Sequence, residues 1–416
     1  MKIGVVVDND LNNDNRVIRE IKILKDHNHE VFVLCFGFGR QYVDPVKGIN
    51  ITRISLPRKL KDTLFFFSNS IPLYELLWIL RLKRFIADYQ IDVLHVHDLY
   101  MSGPAHRGIK KSGRRIPFVL DLHENYPYAV TTYNWTKGLL RSTISRPLIW
   151  QKREKKLLKY ARKIVVLSEE FRDVLTDRYK CLVPEDFCIF PNVPDLKQMN
   201  RNKVKTPVFP FTGKIPVLFY FGTVAERRGV FDALEVFGDL LGDGINLHLL
   251  IAGPVDKKDR TRFFGLINSS NLKANVTYIP WINYSELPGY LEISDICLAP
   301  FLKNPQHESG VANKVYDYMY GSRPVIASDC RPQRNLIDKY NCGIVYGERA
   351  EFRNAVIRLI SDKNLREQMG RNGYNAVVTD LNTGRLKHNL TEMYDHLEAE
   401  KENQLKQIMQ RTEDQA

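Results

Sequence analysis

Short apolar runs alternate with helically spaced apolar positions along the whole chain, the pattern of βαβ units built on a mainly parallel sheet. In the first half, residues 2–8, 30–36, 92–98, 117–124 and 163–168 read as strands. Between the first two, Val17, Ile21 and Leu24 recur at helical spacing with Lys22 and Lys25 turned outward, which predicts an amphipathic helix. The second half repeats the pattern at 217–222, 247–253, 276–281, 296–301, 324–328 and 343–346. Between the halves, Pro191, Pro194, Pro207, Pro210 and Pro216 fall without periodicity and predict a linker near 192–214. The reading is an α/β protein of two Rossmann-like, doubly wound parallel-sheet domains, 1–192 and 193–379. A helix at about 380–400 is expected to pack back on the first domain, and the charged, amide-rich stretch 401–416 reads as a frayed helix or tail. Open parallel sheets bind ligands at the carboxyl ends of their strands, so function is expected in a cleft between the two sets of strand ends.

Composition agrees with two folded cores. The 416 residues are 44% apolar and 26% charged, which excludes disorder as the default. Six cysteines without a C-x-x-C pair make a poor zinc or disulfide pattern and read as reduced, mostly core, thiols. The leading apolar run is too short for a signal peptide and reads as a strand. The longest apolar stretch, 64–82, is broken by Asn69, Pro72, Glu75 and Arg81 and falls short of a membrane-spanning helix. Net charge is +13, and between Lys137 and Lys163 the sole acid is Glu154. Such a block suits an anionic surface, or is simply a solvated helix face. No nucleic-acid motif accompanies it, and the aromatic residues sit in apolar runs rather than on a stacking platform, so nucleic acid is set aside.

Candidate chemistry gathers at the strand ends. The run 217–222 leads into Thr223-Val224-Ala225-Glu226-Arg227-Arg228-Gly229 and then a helix, a combination suited to a diphosphate because free amides and the helix dipole attract anions. It is neither G-x-G-x-x-G nor G-K-[ST], and an exposed basic turn is the bland alternative. After 296–301, Gly310-Val311-Ala312 is expected to open a helix carrying Asn313, Lys314 and Asp317. Lys314 would face phosphate and Asp317 ribose hydroxyls, or the two form a surface ion pair at i,i+3. In the first half, His97-Asp98 and His123-Glu124 both end strands, as catalytic or as satisfied structural histidines. The loop 10–16 is rich in Asn and Asp; it reads as an acceptor-contact loop or as a helix cap by Asn13 or Asp14.

The stretch Gly310 to Ser328, with Asn313-Lys314-Val315-Tyr316-Asp317-Tyr318-Met319 and Arg323-Pro324-Val325-Ile326-Ala327-Ser328, resembles the donor-site signature of family-4 (group 1) glycosyltransferases. Matching segments fall in order along nearly the whole chain: Asp14-x-Arg16-Val17-x-x-Glu20, His29-Glu30-Val31, His95-Val96-His97-Asp98, Asp121-Leu122-His123-Glu124, Pro191-Asn192-Val193, Arg228-Gly229, and Glu286-Leu287-Pro288 with Asp295. The resemblance implies the GT-B fold and retaining transfer from a nucleotide-diphosphate-sugar, with a UDP-sugar favoured. It gives the catalytic roles to His123, Arg228 and Lys314. Donor contacts fall to Gly222, Thr223, Arg227, Gly253, Trp281, Ile282, Glu308, Ser309, Gly310, Val311, Asn313 and Asp317. Acceptor contacts fall to Asn13, Asp14, Arg16, His97, Asp98 and Glu124.

The chain departs from the family pattern at three places. Thr223 stands where an arginine is common, so Arg227 is expected to substitute. Eight residues before Asp317 is Ser309, with Glu308 one position off the acid of E-x₇-E. Ser322, preceded by Gly321, replaces the glycine before the basic-Pro-Val run.

The family's proposed course is front-side attack, in which the leaving diphosphate helps take the acceptor's proton. No Asp-x-Asp is placed to hold a metal, so neither metal nor cofactor is expected. The acceptor is expected to be a glycan or lipid-linked sugar in cell-surface polysaccharide or glycoconjugate synthesis. Apolar, basic-flanked runs at 64–82 and 139–150 point to a cytoplasmic enzyme peripheral on an anionic membrane, or to core helices with basic edges. The rival functions are a non-hydrolysing nucleotide-sugar epimerase and a degenerate nucleotide-sugar-binding protein.

Overall fold

The alternating runs fold into thirteen strands among the described residues. The computed structural model describes all residues except 13, 40–41, 200–205, 212, 214 and 414–416, and omits the side chains of 134, 198, 408, 412 and 413. The chain divides into two compact units, Met1–Pro191 with Lys387–Ala416, and Asn192–Leu386.

The first unit holds β1 (Lys2–Val6), β2 (Glu30–Gly37), β3 (Asn50–Ser55), β4 (Val93–His97), β5 (Phe118–Asp121), β6 (Lys163–Val166) and β7 (Phe187–Ile189) in one parallel sheet, ordered 3-2-1-4-5-6-7. The order reverses between β1 and β4, and it is beyond those two strand ends that an open parallel sheet holds a ligand. Helix Asn15–Asp26 buries Val17, Ile21 and Leu24 as its spacing predicts, and it also buries Arg16 and Glu20. The apolar stretch 64–82 lies in two helices, Arg58–Phe66 and Leu73–Tyr89; Trp78 and Leu82 enter the core, while Leu73, Leu76 and Leu80 stay exposed.

The second unit is a six-stranded parallel sheet of β8 (Val217–Phe221), β9 (His248–Ala252), β10 (Val276–Ile279), β11 (Ile296–Ala299), β12 (Val325–Ser328) and β13 (Gly343–Tyr346), ordered 10-9-8-11-12-13. Here too the order reverses at one place, between β8 and β11.

Two boundaries differ from the sequence reading. The proline-bearing stretch is part of the second unit rather than a free linker: Val193 is in its core, Leu196–Met199 is helical, and Phe211 stacks on His248 at 3.6 Å. The final helix, Thr383–Glu413, runs well past 400, so a tail from 401 is corrected as far as 413. Its sequence is rich in Glu, Lys, Gln and Leu, which favour helix, and Lys401 pairs with Asp92 at 2.8 Å. Leu390, Tyr394 and Leu397 of this helix are buried in the first unit's core.

Candidate active-site residues

In the second unit the turns that follow β8 and β9 demand glycine. Gly253 has φ 139°, and a Cβ there would lie 2.3 Å from the carbonyl oxygen of Gly222. Gly229 has φ 69°, and its Cβ would lie 1.5 Å from the oxygen of Pro300. No side chain fits either place, so the 222–229 turn is held against the end of β11. Arg227, on this turn, pairs with Asp256 at 2.5 Å. That pairing was not visible in the sequence, where Arg227 stood in for the missing arginine. Arg228 lies over the Phe301 ring at 5.1 Å.

Lys314 reaches the same place from helix Asn313–Tyr320. Its Nζ sits 3.7 Å from the centre of the Tyr220 ring and 5.1 Å from that of Phe301, and it lies beside Gly222. It is shielded from solvent and has no hydrogen-bond partner in the structure. Burial, reinforced by Arg228 and opposed by Asp317, pushes its pKa well below the usual lysine range. One turn on, Asp317 is buried and accepts a 2.5 Å hydrogen bond from the Tyr284 hydroxyl. Burial raises its pKa to about 6, against the lowering effects of Tyr284 and Lys314. Lys314 and Asp317 are therefore not a surface ion pair.

The helix begins at Asn313, three residues later than Gly310, because Ala312 is extended at ψ 136°. Gly310, Val311 and Ala312 thus lie in the loop ahead of its first turn. Neither candidate for the first acid of E-x₇-E is uncommitted. Ser309 is buried and donates to the Gln306 carbonyl at 2.7 Å. Glu308 accepts from the Arg331 amide at 3.0 Å, at the start of helix Arg331–Tyr340. Thr223 accepts at its carbonyl from the Tyr220 hydroxyl, Asn313 is exposed, Ile282 is buried, and Trp281 is 69% exposed, an apolar face open to a ring-shaped ligand.

In the first unit the strand-end residues form a buried network. Arg16 makes a two-point contact with Asp121, Nε to Oδ2 at 2.9 Å and Nη2 to Oδ1 at 2.8 Å, and donates to the Phe190 carbonyl at 2.8 Å. It also lies 3.1 Å from Glu20. Arg16 and His97, read from the sequence as acceptor contacts, are buried together with Glu20. Asp14 caps that helix by accepting from the Val17 amide at 3.2 Å, the structural alternative for this residue; Asn13 lies outside the described residues. Asp98, at φ 70°, accepts from the Tyr100 hydroxyl at 3.0 Å, and Glu124 accepts from the Tyr133 hydroxyl.

His123 is 21% exposed at its side chain and stands at the edge of this network. Its Nε2 lies 2.9 Å from His97 Nδ1 and 3.5 Å from Asp121 Oδ2, and its Nδ1 is 3.9 Å from Asp98. Burial alone would lower its pKa, but Asp98 and Asp121 override it and raise the value to about 9. His123 is therefore an imidazolium at neutral pH.

Two parallel-sheet units, a glycine turn with two cations in one and a strand-end histidine network in the other, define a glycosyltransferase architecture, and comparison with known proteins agrees. Residues 15–198 match the family described as Glycosyltransferase Family 4, and residues 203–376 match Glycosyl transferases group 1. The chain belongs to the GT-B glycosyltransferases of this type. It is 28% identical over 159 residues to the alpha-D-kanosaminyltransferase of Streptomyces kanamyceticus, a match spanning 38% of this chain and 39% of that protein. Among solved structures it resembles sucrose-phosphate synthase from Thermosynechococcus elongatus, with TM-score 0.72 at 17% identity over 96% of this chain and 99% of that one. It also resembles Anabaena HepE in complex with UDP, with TM-score 0.68 at 12% identity over 95% and 100%. At these identities the two structures bear on the fold alone.

Proposed function

We propose that this chain transfers a sugar from a nucleotide-diphosphate-sugar, a UDP-sugar first among them, to a hydroxyl of a glycan or lipid-linked acceptor, with retention of anomeric configuration. The observation that carries the reading is Lys314: a lysine nitrogen out of water, without a hydrogen-bond partner, beside Arg228 at a glycine turn. An uncompensated buried cation is costly unless an anion completes it. A diphosphate supplies that anion. Asp317 then accepts from ribose hydroxyls in place of Tyr284, and Trp281 covers the base.

His123 bears on how the proton moves. A group already protonated at neutral pH cannot take the acceptor's proton, so it serves as a cationic hydrogen-bond donor rather than as a base. The base is then the leaving diphosphate itself, as front-side retention requires. Charge developing on that group is met by Arg228 and Lys314, fixed in advance, which is where a catalyst of this kind gains most. These two cations do the work a metal does elsewhere, so turnover is expected to continue in the presence of a chelator.

The setting we infer is cell-surface glycan synthesis at the cytoplasmic face of the membrane. Leu139, Leu140 and Leu148 are exposed along the basic stretch, a combination suited to anionic lipid. No helix among the described residues is long and apolar enough to cross a membrane. The test is a thermal-shift panel of nucleoside diphosphates and nucleotide-sugars without added metal, followed by acceptor screening with the best donor. One nucleotide-sugar should raise the melting temperature, since a ligand at a hundred times its Kd adds about 2.7 kcal/mol. No shift with any of them would contradict the reading.

A further inference from the structure

Behind His123 the first unit buries more ionisable side chains than its core needs. Glu20, His95, His97 and Asp121 are all nearly inaccessible and come from the first helix, β4 and β5. The contacts run in sequence. His123 Nε2 meets His97 Nδ1 at 2.9 Å. His97 Nε2 faces Glu20 Oε2 at 3.8 Å, and the same oxygen lies 3.3 Å from His95 Nε2. His95 Nδ1 meets the Tyr394 hydroxyl of the last helix at 2.7 Å.

These four groups are close enough to chelate a cation. Arg16 already supplies the positive charge, occupying both oxygens of Asp121 and one side of Glu20. That leaves two neutral rings and an acid behind the partly exposed His123.

We propose that His97 is the positioning residue of His123, through the 2.9 Å contact between its Nδ1 and His123 Nε2. The reasoning is proton bookkeeping. His123 Nε2 carries a hydrogen and donates it to His97 Nδ1, which must therefore be bare. His97 then carries its hydrogen on Nε2, facing Glu20. If His97 held the other tautomer, two N–H groups would meet at 2.9 Å. His123 is thereby fixed with Nδ1–H outward, toward Asp98 and the solvent-accessible side. The directions of the titrations agree: burial keeps His97 neutral, its value lowered to about 3, and burial with Asp121 raises Glu20 well above the carboxylate range. The other charged groups bearing on His123 are Asp98, Asp121 and Arg16, with Asp14 close to Asp98 and Arg16. Asp121 Oδ2 lies 3.3 Å from His97 Nδ1 as well as 3.5 Å from His123 Nε2, so the two rings share that carboxylate. Tyr394 of the last helix holds the neighbouring His95 ring.

This inference rests on the proposed transferase reading for its purpose but not for its test. The full-length protein with ¹³C,¹⁵N-labelled histidine would be titrated by NMR, with no substrate present. In the wild type, His123 should titrate near 9 with His97 neutral throughout. His97→Leu removes the acceptor and should lower the His123 value by about one unit, because a hydrogen bond to the charged form favours that form. His97→Asn places a carbonyl oxygen near the lost Nδ1 and should restore it. In the transfer assay the leucine variant should lose kcat by about tenfold with KM little changed. If His97→Leu fails to fold, the wild-type ¹⁵N shifts still decide, since His97 should show a bare Nδ1 and a protonated Nε2. An unshifted His123 in a folded His97→Leu protein, or a protonated His97 Nδ1 in the wild type, overturns the proposal. Stoichiometric divalent metal in the purified protein, lost on His95→Ala, does so too, since a metal would claim the His97 ring. Should the titrations behave as expected while no donor is turned over, the relay stands and the transferase reading fails.

Discussion

The two units answer the same problem, a buried cation, in opposite ways. In the first, Arg16 is matched at every nitrogen: Asp121 takes two of them, the Phe190 carbonyl a third, and Glu20 adds a further acid. In the second, Lys314 Nζ lies against aromatic faces without a hydrogen-bond partner among the described residues, with another cation, Arg228, pushing against it. A complete set of partners makes a framework that positions; an incomplete one makes a place where a ligand supplies what is missing. The difference separates residues that hold a site from residues that bind, more sharply than burial or charge does on its own.

Exchanging each cation for methionine should therefore give opposite results. Arg16→Met leaves the fully buried Asp121 without its counter-charge and should cost about 3–5 kcal/mol, read as a lowered urea midpoint. Lys314→Met should leave stability unchanged or raise it by about 1 kcal/mol. The same variant should weaken nucleoside-diphosphate binding by roughly 10–100-fold, the scale of a charged hydrogen bond. Equal destabilisation by both substitutions would collapse the distinction. Gly229→Ala comes next in size: a positive φ and a carbonyl in the way of the new Cβ should cost about 2–3 kcal/mol and displace Arg228 with the turn, weakening the same ligand.

Smaller effects are carried by pH. The folded value of His123, about 9, lies above its ordinary 6.5, so its contribution to stability is complete below about pH 6.5 and lost as pH rises through 9. The difference in unfolding free energy between wild type and His123→Gln should shrink by on the order of 1–3 kcal/mol between pH 6.5 and 9.5. Asp317 has the opposite sense as a binder. Its carboxylate accepts from ribose only when ionised, so nucleotide affinity should fall as pH drops through about 6. Asp317→Asn should remove that slope.

How far the sequence disclosed these regions follows from what pattern encodes. All six strands of the second unit were legible, because buried parallel strands are unbroken apolar runs. β3 was missed because Asn-Ile-Thr-Arg-Ile-Ser is a half-exposed edge strand, and β7 because three residues leave no period to detect. The family motifs brought out Lys314, Asp317 and His123. They could not say that Arg227 is engaged by Asp256, that Tyr284 occupies Asp317, or that Tyr220 and Phe301 wall in Lys314, since those contacts join segments far apart in the chain. One missed feature did leave a trace. Arg16 and Glu20 flank Val17, Ile21 and Leu24 on the helix, so a charged pair at i,i+4 on the buried face was already written in the spacing.

The most direct test of the central claim is a calorimetric titration of UDP and UDP-glucose into the full chain at pH 8, without metal, in two buffers of different ionisation enthalpy. The account predicts binding accompanied by net proton uptake, because burial lowers the pKa of Lys314 in the free protein and the diphosphate, by pairing with its charged form, raises it. In Lys314→Met the uptake should vanish and the affinity drop. Binding that is equally tight and proton-neutral in both proteins, or no binding at all, would contradict it.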